Sequence, residues 1–275
     1  MNSNELVSVI IVNKNYDKYL KQSIESVLGQ TYSPIEIIVV DDFSSDDSWS
    51  IVQSYGDKIS SVKTIGVGVA AARNLGILQA SGRYIAFLDS DDFWVESKIK
   101  LQLQILKETG VGAVYCGIRL YYEQIKKLGD ELRPTYRGNC SYWFRRFPAR
   151  AIILLASSSL LLDRQLLKKT QLFNEKLSVS ADWDFARRLC DRVNIEYIDE
   201  PLVNYRIHGE NMSKSQIRTY RDWIYSASIM AFEDLRKGNF YLPILTMFGT
   251  FVILLKSVTN KSLLFFTRSK EANSY

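Results

Sequence analysis

The chain has little of what builds a covalent or soft-metal framework. Its 275 residues include three cysteines and a single histidine. Cys116, Cys140 and Cys190 lie far apart, are odd in number and show no zinc-type spacing. That excludes a disulfide scaffold and a zinc finger and favours a reducing compartment. A large excess of one charge is also missing, and the net charge of +5 does not by itself argue for nucleic acid. The sequence shows no internal repeat and no low-complexity linker. Its opening apolar run, Val7 to Val12, is too short for the core of a signal peptide, so no export signal is expected. What remains, 47% hydrophobic and 24% charged residues, suits a globular chain with room for one full domain and a smaller appendage.

Short apolar runs alternate with helix-period segments through the first half. Strands are expected at Val7–Val12, Ile35–Val40, Val62–Ile65, Tyr84–Leu88 and Ala113–Cys116. Helices are expected at Leu20–Leu28, from near Ser45 to Tyr55, at Val69–Leu78 and from about Glu96 to Glu108. This order predicts an α/β fold, right-handed βαβ units forming a mostly parallel sheet flanked by helices. The second half is less regular, with strand-like Ser159–Leu162, a helix over Trp183–Val193, and strands Ile195–Ile198 and Leu202–Arg206. Between the halves, Arg133, Arg137, Arg145, Arg146 and Arg150 interleave with Tyr136, Tyr142, Trp143, Phe144 and Phe147, with no acidic residue from Arg133 to Arg150.

The tail, residues 216–275, differs in kind. Phe240 to Leu255 is almost uniformly apolar but holds Pro243 and falls short of the roughly 20 residues that span a bilayer. A second cluster, Leu263 to Phe266, follows, with Lys256, Lys261, Arg268 and Lys270 nearby. Apolar helices beside basic residues fit the interface of an anionic membrane leaflet. Packing on the domain or in a dimer contact is the other reading.

The richest stretch is Phe87-Leu88-Asp89-Ser90-Asp91-Asp92, three carboxylates at the end of an apolar strand. Like charges this close repel, and a partner cation makes the crowding tolerable. Asp41 and Asp42 end an earlier strand, and ligands of open α/β sheets sit beyond the carboxyl ends of the strands. A hard ion, Mn²⁺ or Mg²⁺, takes one or two carboxylates and completes its shell with phosphate oxygens and water. The two acidic strand ends therefore predict a site for a phosphorylated substrate; helix capping by an acidic loop is the plainer reading. Asp89 and Asp91, two apart on extended chain, can share a face toward one ion, leaving Asp92 to cap the following turn.

Asp42 is suited to accept from the N–H edge of a nucleobase. Asp41 is suited to hold the turn at Phe43-Ser44, and Asn15 either forms a turn or offers donors at the same edge. Gly66-Val67-Gly68-Val69-Ala70-Ala71 partly matches a dinucleotide fingerprint, but it lies in the third βα unit, which argues against nicotinamide. Its glycines permit close backbone approach, and Arg73 and Asn74 follow as donors for phosphate or sugar. Asp182 and Asp184 flank Trp183 at a helix start and point roughly 200° apart, so both cannot serve one site. Asp182, at the entry, is freer to act as general base or as a cap. His208 is a candidate ligand for the ion or contact for the phosphates, or a surface residue.

Together these segments resemble glycosyltransferase family 2, whose members adopt the GT-A fold. The resemblance runs from Val7–Asn15 through Gln30-Thr31-Tyr32, Val39–Ser44, Gly68–Asn74, Asp89-Ser90-Asp91 and Ala181–Phe185 to Tyr205–Ser213. It implies a nucleotide-binding half over about 1–118 and an acceptor half over 119–215. It implies donor contacts from Asn15, Asp41, Asp42, Arg73, Asn74 and Asp89, a metal held by Asp91, Asp89 and His208, and a general base at Asp182. Two positions depart from the family: Lys14 stands where many relatives carry an aromatic, and Ala181 replaces the usual acid before Asp182.

The expectation is an inverting, Mn²⁺- or Mg²⁺-dependent transferase moving a sugar from a nucleoside-diphosphate donor to a hydroxyl. The acceptor is expected to be a glycan or lipid-linked, in surface polysaccharide assembly, with the enzyme peripheral at the cytoplasmic face of the cell membrane. Nucleic acid is not expected as a partner. Two rivals remain open, a haloacid-dehalogenase-like phosphatase and a non-catalytic sugar-nucleotide-binding protein. A trapped phosphoenzyme would mark the first; binding of donor and metal without turnover would mark the second.

Overall fold

The computed structural model describes residues 5–146, 157–211, 216–241, 243–244 and 246–247. The N-terminal half alternates as its periodicity predicts: β1 Val7–Asn13, α1 Asp17–Leu28, β2 Ile35–Asp41, α2 Ser48–Ser54, β3 Ser60–Lys63, α3 Val69–Gln79, β4 Tyr84–Asp89. Leu20, Ile24 and Val27 recur at helical spacing on α1 and are all buried. Strands β3, β2, β1 and β4 lie side by side and parallel. Their apolar runs, buried on both faces, pair in a register that sets Asn13 opposite Asp41 and Val12 opposite Asp89. Three strands thus end nearly flush, and their polar last residues form one edge. Helix α3 packs closely on this sheet because Gly76 carries no side chain; a Cβ there would sit 2.4 Å from Ile10 Cγ2.

The second half is a mixed continuation of the same sheet. It comprises β5 Phe93–Trp94, α4 Lys98–Thr109, β6 Ala113–Tyr122, β7 Lys127–Leu132, α5 Ser141–Arg146, β8 Leu161–Asp163, α6 Leu167–Thr170, α7 Ala181–Cys190, β9 Ile195–Ile207 and α8 Gln216–Arg236. From β4 the order continues β8, β6, β9, β5, with β7 paired to β6. Strand β8 is antiparallel to both neighbours, whereas β6 and β9 run parallel.

Several sequence expectations shift here. The two strands expected at Ile195–Ile198 and Leu202–Arg206 are one strand, β9, whose register against β6 slips at Cys116–Ile118 and absorbs the interruption at Pro201. Strand β6 runs six residues past Cys116 and forms an unforeseen hairpin with β7. Strand β3 begins and ends two residues early, leaving Ile65 in an exposed loop. Among the described residues no helix is long and apolar enough to cross a membrane. Most of the apolar tail, from 248 onward, and Phe147 and Arg150 of the basic-aromatic stretch lie outside the described residues.

Helix α4 buries a lysine that no carboxylate answers among the described residues. Lys98 Nζ donates to Gln102 Oε1 at 2.8 Å and lies 3.8 Å from the centre of the Trp94 ring. Gln102 in turn donates to the carbonyls of Val114 and Ser159. Burial pulls the Lys98 ammonium down to about 8, with Cys116 pulling weakly the other way. A folded pKa below the unfolded one penalises the fold at lower pH, and the penalty fades as pH rises from about 8 toward 10.5. Lys98→Met is therefore expected to exceed the parent in stability at pH 7. Denaturant unfolding at stepped pH should show that advantage shrinking, by on the order of 3 kcal/mol, between pH 8 and 10.5.

Candidate active site

The three carboxylates after β4 go three separate ways. Asp89 Oδ1 accepts from Arg73 on α3 at 2.6 Å. Asp91 Oδ2 faces His208 Nε2 at 3.1 Å. Asp92 turns inward instead of capping the next turn: it accepts from Ser158 Oγ at 2.6 Å and from the backbone N–H of Arg206 at 3.0 Å. Burial, then the neighbouring Asp91 and Asp89, push the Asp92 carboxyl well above the ordinary range.

His208 is buried and oriented from several sides. Its ring lies edge-on to Tyr16 at 5.3 Å and tilted on Tyr19 at 4.8 Å. Its backbone N–H donates to Asn211 Oδ1 at 2.7 Å, and its Nδ1 accepts from the Glu210 N–H at 3.2 Å. The Tyr16 hydroxyl, raised by burial and then by Asp91 and Asp89, donates to the Glu210 carbonyl. The β1–α1 loop and the segment after β9 therefore meet over Asp91.

Arg206 is the contributor that sequence reasoning missed. Its Nε donates to the Asp91 carbonyl at 2.7 Å, one terminal nitrogen to Gln22 Oε1 at 2.7 Å and the other to Glu123. The guanidinium lies within 5.3 Å of the ring centres of Tyr19, Phe93 and Tyr121. A fully buried arginine thus fixes the backbone of the acidic loop while its charge meets Glu123 and three aromatic faces. The available signal was its position two residues before His208 on an alternating strand, which puts both on one face.

Arg73 joins the β4 edge to α7. It is buried, and although burial opposes its charge, Asp89, Asp182 and Asp91 hold it protonated above its usual value. Asp182 lies in the first turn of α7, where burial raises its carboxyl above the ordinary range, Arg73 counters and Asp89 adds to the rise. Its Oδ1 accepts from the N–H of Trp183 at 2.7 Å. Asp184 faces elsewhere, bonded to Arg187 and Arg188. The two acids separate as a helix requires.

The β2 exit is cross-braced. Asp41 accepts from Asn13 Nδ2 at 2.9 Å and from Ser44 Oγ at 2.6 Å, holding the turn at Phe43-Ser44. Asn15 forms a turn at φ +58°, its N–H donating to Ser44 Oγ and its Oδ1 accepting from the Ser45 N–H. Asp42 is buried and accepts from Thr64 Oγ1 and the N–H groups of Val67 and Gly68, with Lys14 Nζ at 3.6 Å. Burial raises its carboxyl, but these four partners outweigh it and leave it below the ordinary range. Of these partners Lys14 is the half-exposed one.

Asn74 is buried on α3. Its amide donates to the Phe173 carbonyl and Glu175 Oε1 and accepts from the Phe173 N–H, which locks α3 onto the loop before α7. Arg133 likewise spends its guanidinium on Glu131 and the Asp199 carbonyl.

Among the described residues no three ligating side chains cluster tightly enough to enclose a metal. Asp91 and His208 still fit one. Ligands about 2.1 Å from an octahedral ion lie roughly 3.0 Å apart, near the observed 3.1 Å, and ions of this class complete their shells with substrate phosphates. Imidazole binds through Nε2 only with its proton on Nδ1, a tautomer that gives up the long bond from Glu210.

Residues 8–160 match the sequence model of glycosyl transferase family 2. An uncharacterised glycosyltransferase of Rickettsia prowazekii is 34% identical over 229 residues, covering 79% of this chain and 70% of the relative. The Escherichia coli UDP-Glc:alpha-D-GlcNAc-diphosphoundecaprenol beta-1,3-glucosyltransferase WfaP is 47% identical over 105 residues, 38% of this chain and 42% of WfaP. Among solved structures, S. aureus TarS 1-349 in complex with UDP-GlcNAc superposes with a TM-score of 0.66 at 20% identity. It covers 81% of this chain, which spans 65% of that protein. The mannosyltransferase PcManGT of Pyrobaculum calidifontis, in complex with GDP-Man and Mn2+, superposes at 0.62 and 16% identity, covering 94% of this chain and 77% of its own. At such identities the likeness shows the fold.

The lock at Asn74 has a checkable consequence. Asn74→Ala leaves the Phe173 N–H and carbonyl unpaired in the interior and is expected to cost about 2 kcal/mol. Thermal melts should show the loss, while nucleoside-diphosphate affinity below the melt stays within about twofold of the parent's.

Proposed function

Since the chain belongs to glycosyl transferase family 2, we propose that it is an inverting, divalent-metal-dependent enzyme that moves one sugar from a nucleoside diphosphate to a hydroxyl acceptor. The observation that carries this reading is the Asp91–His208 pair beside the Arg73–Asp89 ion pair, with Asp182 in the same electrostatic field. Asp42 and the glycine loop at 66–68 would receive the nucleoside, Asp91 and His208 the cation, and Asp89 with Arg73 the ribose or diphosphate. When bound, Mn²⁺ or Mg²⁺ supplies charge neutralisation for the departing diphosphate. Asp182 takes the proton from the acceptor hydroxyl as its oxygen bonds to the anomeric carbon, and the bond to the diphosphate breaks on the opposite face. Burial of Asp182 makes it a stronger base than an exposed carboxylate. The PcManGT complex, with Mn²⁺ bound, supports the metal requirement.

A lipid-linked acceptor is the finer part of the reading. WfaP acts on a diphosphoundecaprenol substrate. Beyond α8, Phe240, Ile244 and Met247 recur at helical spacing and are 72%, 65% and 67% exposed. Such a stripe, followed in sequence by Lys256 and Lys261, suits peripheral attachment to an anionic leaflet at the inner face of the cell membrane.

Two experiments test these statements. Asp182→Asn is expected to lower kcat by about 10² to 10⁴ with donor affinity within about threefold, and EDTA to abolish transfer until Mn²⁺ or Mg²⁺ is restored. A variant retaining half the parent kcat would remove Asp182 as base. Replacing Phe240, Ile244 and Met247 together by serine is expected to release the full chain from anionic vesicles in cosedimentation; unchanged partition would remove the membrane reading.

A further inference from the structure

Helix α8 reaches the element that carries Asp182. Asp222, Ser226, Met230 and Asp234 recur at every fourth position of α8 and are all buried, which sets Asp222 on its inward face. The Asp222 Oδ2 accepts from three successive backbone N–H groups, those of Ser178 at 2.9 Å, Val179 at 2.9 Å and Ser180 at 3.3 Å. It also accepts from Ser178 Oγ at 3.1 Å, while Oδ1 meets Arg221 at 3.1 Å. Burial works against the charge, but the Ser178 N–H, Arg221 and the Ser180 N–H outweigh it and leave the carboxyl below the ordinary range.

This clamp sits where the chain enters α7. Ser180 is the N-cap residue of α7, and its own side chain makes no capping bond. Asp222 supplies the missing carboxylate from another helix, at the end of α7 where negative charge is favoured. Asp182 follows within the first turn. Its place is therefore set by the three residues that Asp222 holds. Asn74 fixes the same loop farther back, at Phe173, and Arg187, fully buried on α7, reaches Glu233 of α8 at 3.7 Å. Both α7 and α8 lie beyond residues 8–160, the part that matches the family model.

We propose that Asp222 is a positioning residue for the base: from α8 it holds the entrance of α7 so that the Asp182 carboxylate stands where the acceptor hydroxyl gives up its proton. The inference rests on the reading of Asp182 as base given above. A base displaced by about 1 Å loses on the order of a hundredfold in rate, so a clamp on its backbone acts on turnover and not on donor affinity. Helix α8, which leads in sequence to the exposed Phe240, Ile244 and Met247, thereby becomes part of the catalytic unit.

The test follows nucleoside-diphosphate release by the full chain from UDP-Glc, UDP-GlcNAc and GDP-Man with Mn²⁺, water taking the place of the acceptor hydroxyl. Calorimetric titration with UDP and GDP and thermal melts accompany it. Asp222→Ala, assayed well below its melt, should lower kcat about 10- to 100-fold with nucleoside-diphosphate affinity within about twofold of the parent's. Should the alanine variant not fold, Asp222→Ser keeps one acceptor and should still lower kcat at least about fivefold. In an Asp182→Asn background either substitution should change the residual rate by less than about twofold, because a residue that acts through the base has nothing left to position. A kcat within about twofold of the parent's, or an equal fall with and without Asp182, would overturn the inference and leave Asp182 as base. Asp182→Asn retaining half the parent kcat, or a parent that releases nothing from any of these donors, would remove the underlying reading and this inference with it.

Discussion

The site depends on keeping three carboxylates together at the end of β4. At close range like charges repel strongly unless each is compensated. Asp89 is compensated by Arg73; burial and then Asp91 and Asp89 push the Asp92 carboxyl well above the ordinary range, which favours its neutral form, while its bonds from Ser158 and the Arg206 N–H pull the other way. Asp91 is different. Its close partner is an imidazole, and among the described residues no arginine or lysine comes within ion-pair distance of it. The loop is nonetheless held rigidly, by Arg206 on the Asp91 carbonyl and by the Asp92 bonds to Ser158 and Arg206. A carboxylate fixed this way, next to a ring nitrogen that can become a ligand, is the pair on which the proposed cation site rests.

The rest of the fold brings partners to that loop. In-register pairing of β1, β2 and β4 aligns their carboxyl ends. The bare surface at Gly76 lets α3 settle close to the sheet, which helps bring Arg73 to Asp89. Asn74, one residue later, ties the same helix to the loop that leads into α7, and α7 carries Asp182. Strand β9 delivers Arg206 and His208 from the far half of the sheet, so neither half completes the site alone.

Much of this was legible in the sequence, for identifiable reasons. Parallel strands buried on both faces write continuous apolar runs, so β1, β2 and β4 and the acids at their ends could be read directly. Helical spacing separated Asp182 from Asp184, and the structure shows the separation. Side-chain partners were not legible. Asn74 follows Arg73 and reads as a second donor, yet a helix turns consecutive residues roughly 100° apart and sends it into the α7 loop. Asp92 reads as a cap because its buried partners, Ser158 and the Arg206 N–H, lie 66 and 114 residues away. Nothing in the sequence marks Arg206 and Lys98 as buried, because burial of a long cation depends on aromatic neighbours that only the folded chain assembles. The break at Pro201 split β9 in the reading, whereas a register slip keeps it one strand.

The most direct measurement is anomalous diffraction at the manganese edge from crystals of the full chain grown with Mn²⁺ and UDP. The account predicts one strong peak within bonding distance of Asp91 Oδ2 and His208 Nε2, bridged to the diphosphate, with Asp92 turned inward to Ser158. A bound diphosphate with no peak there, or a manganese ion elsewhere while Asp91 still faces a protonated His208 Nε2, would contradict it.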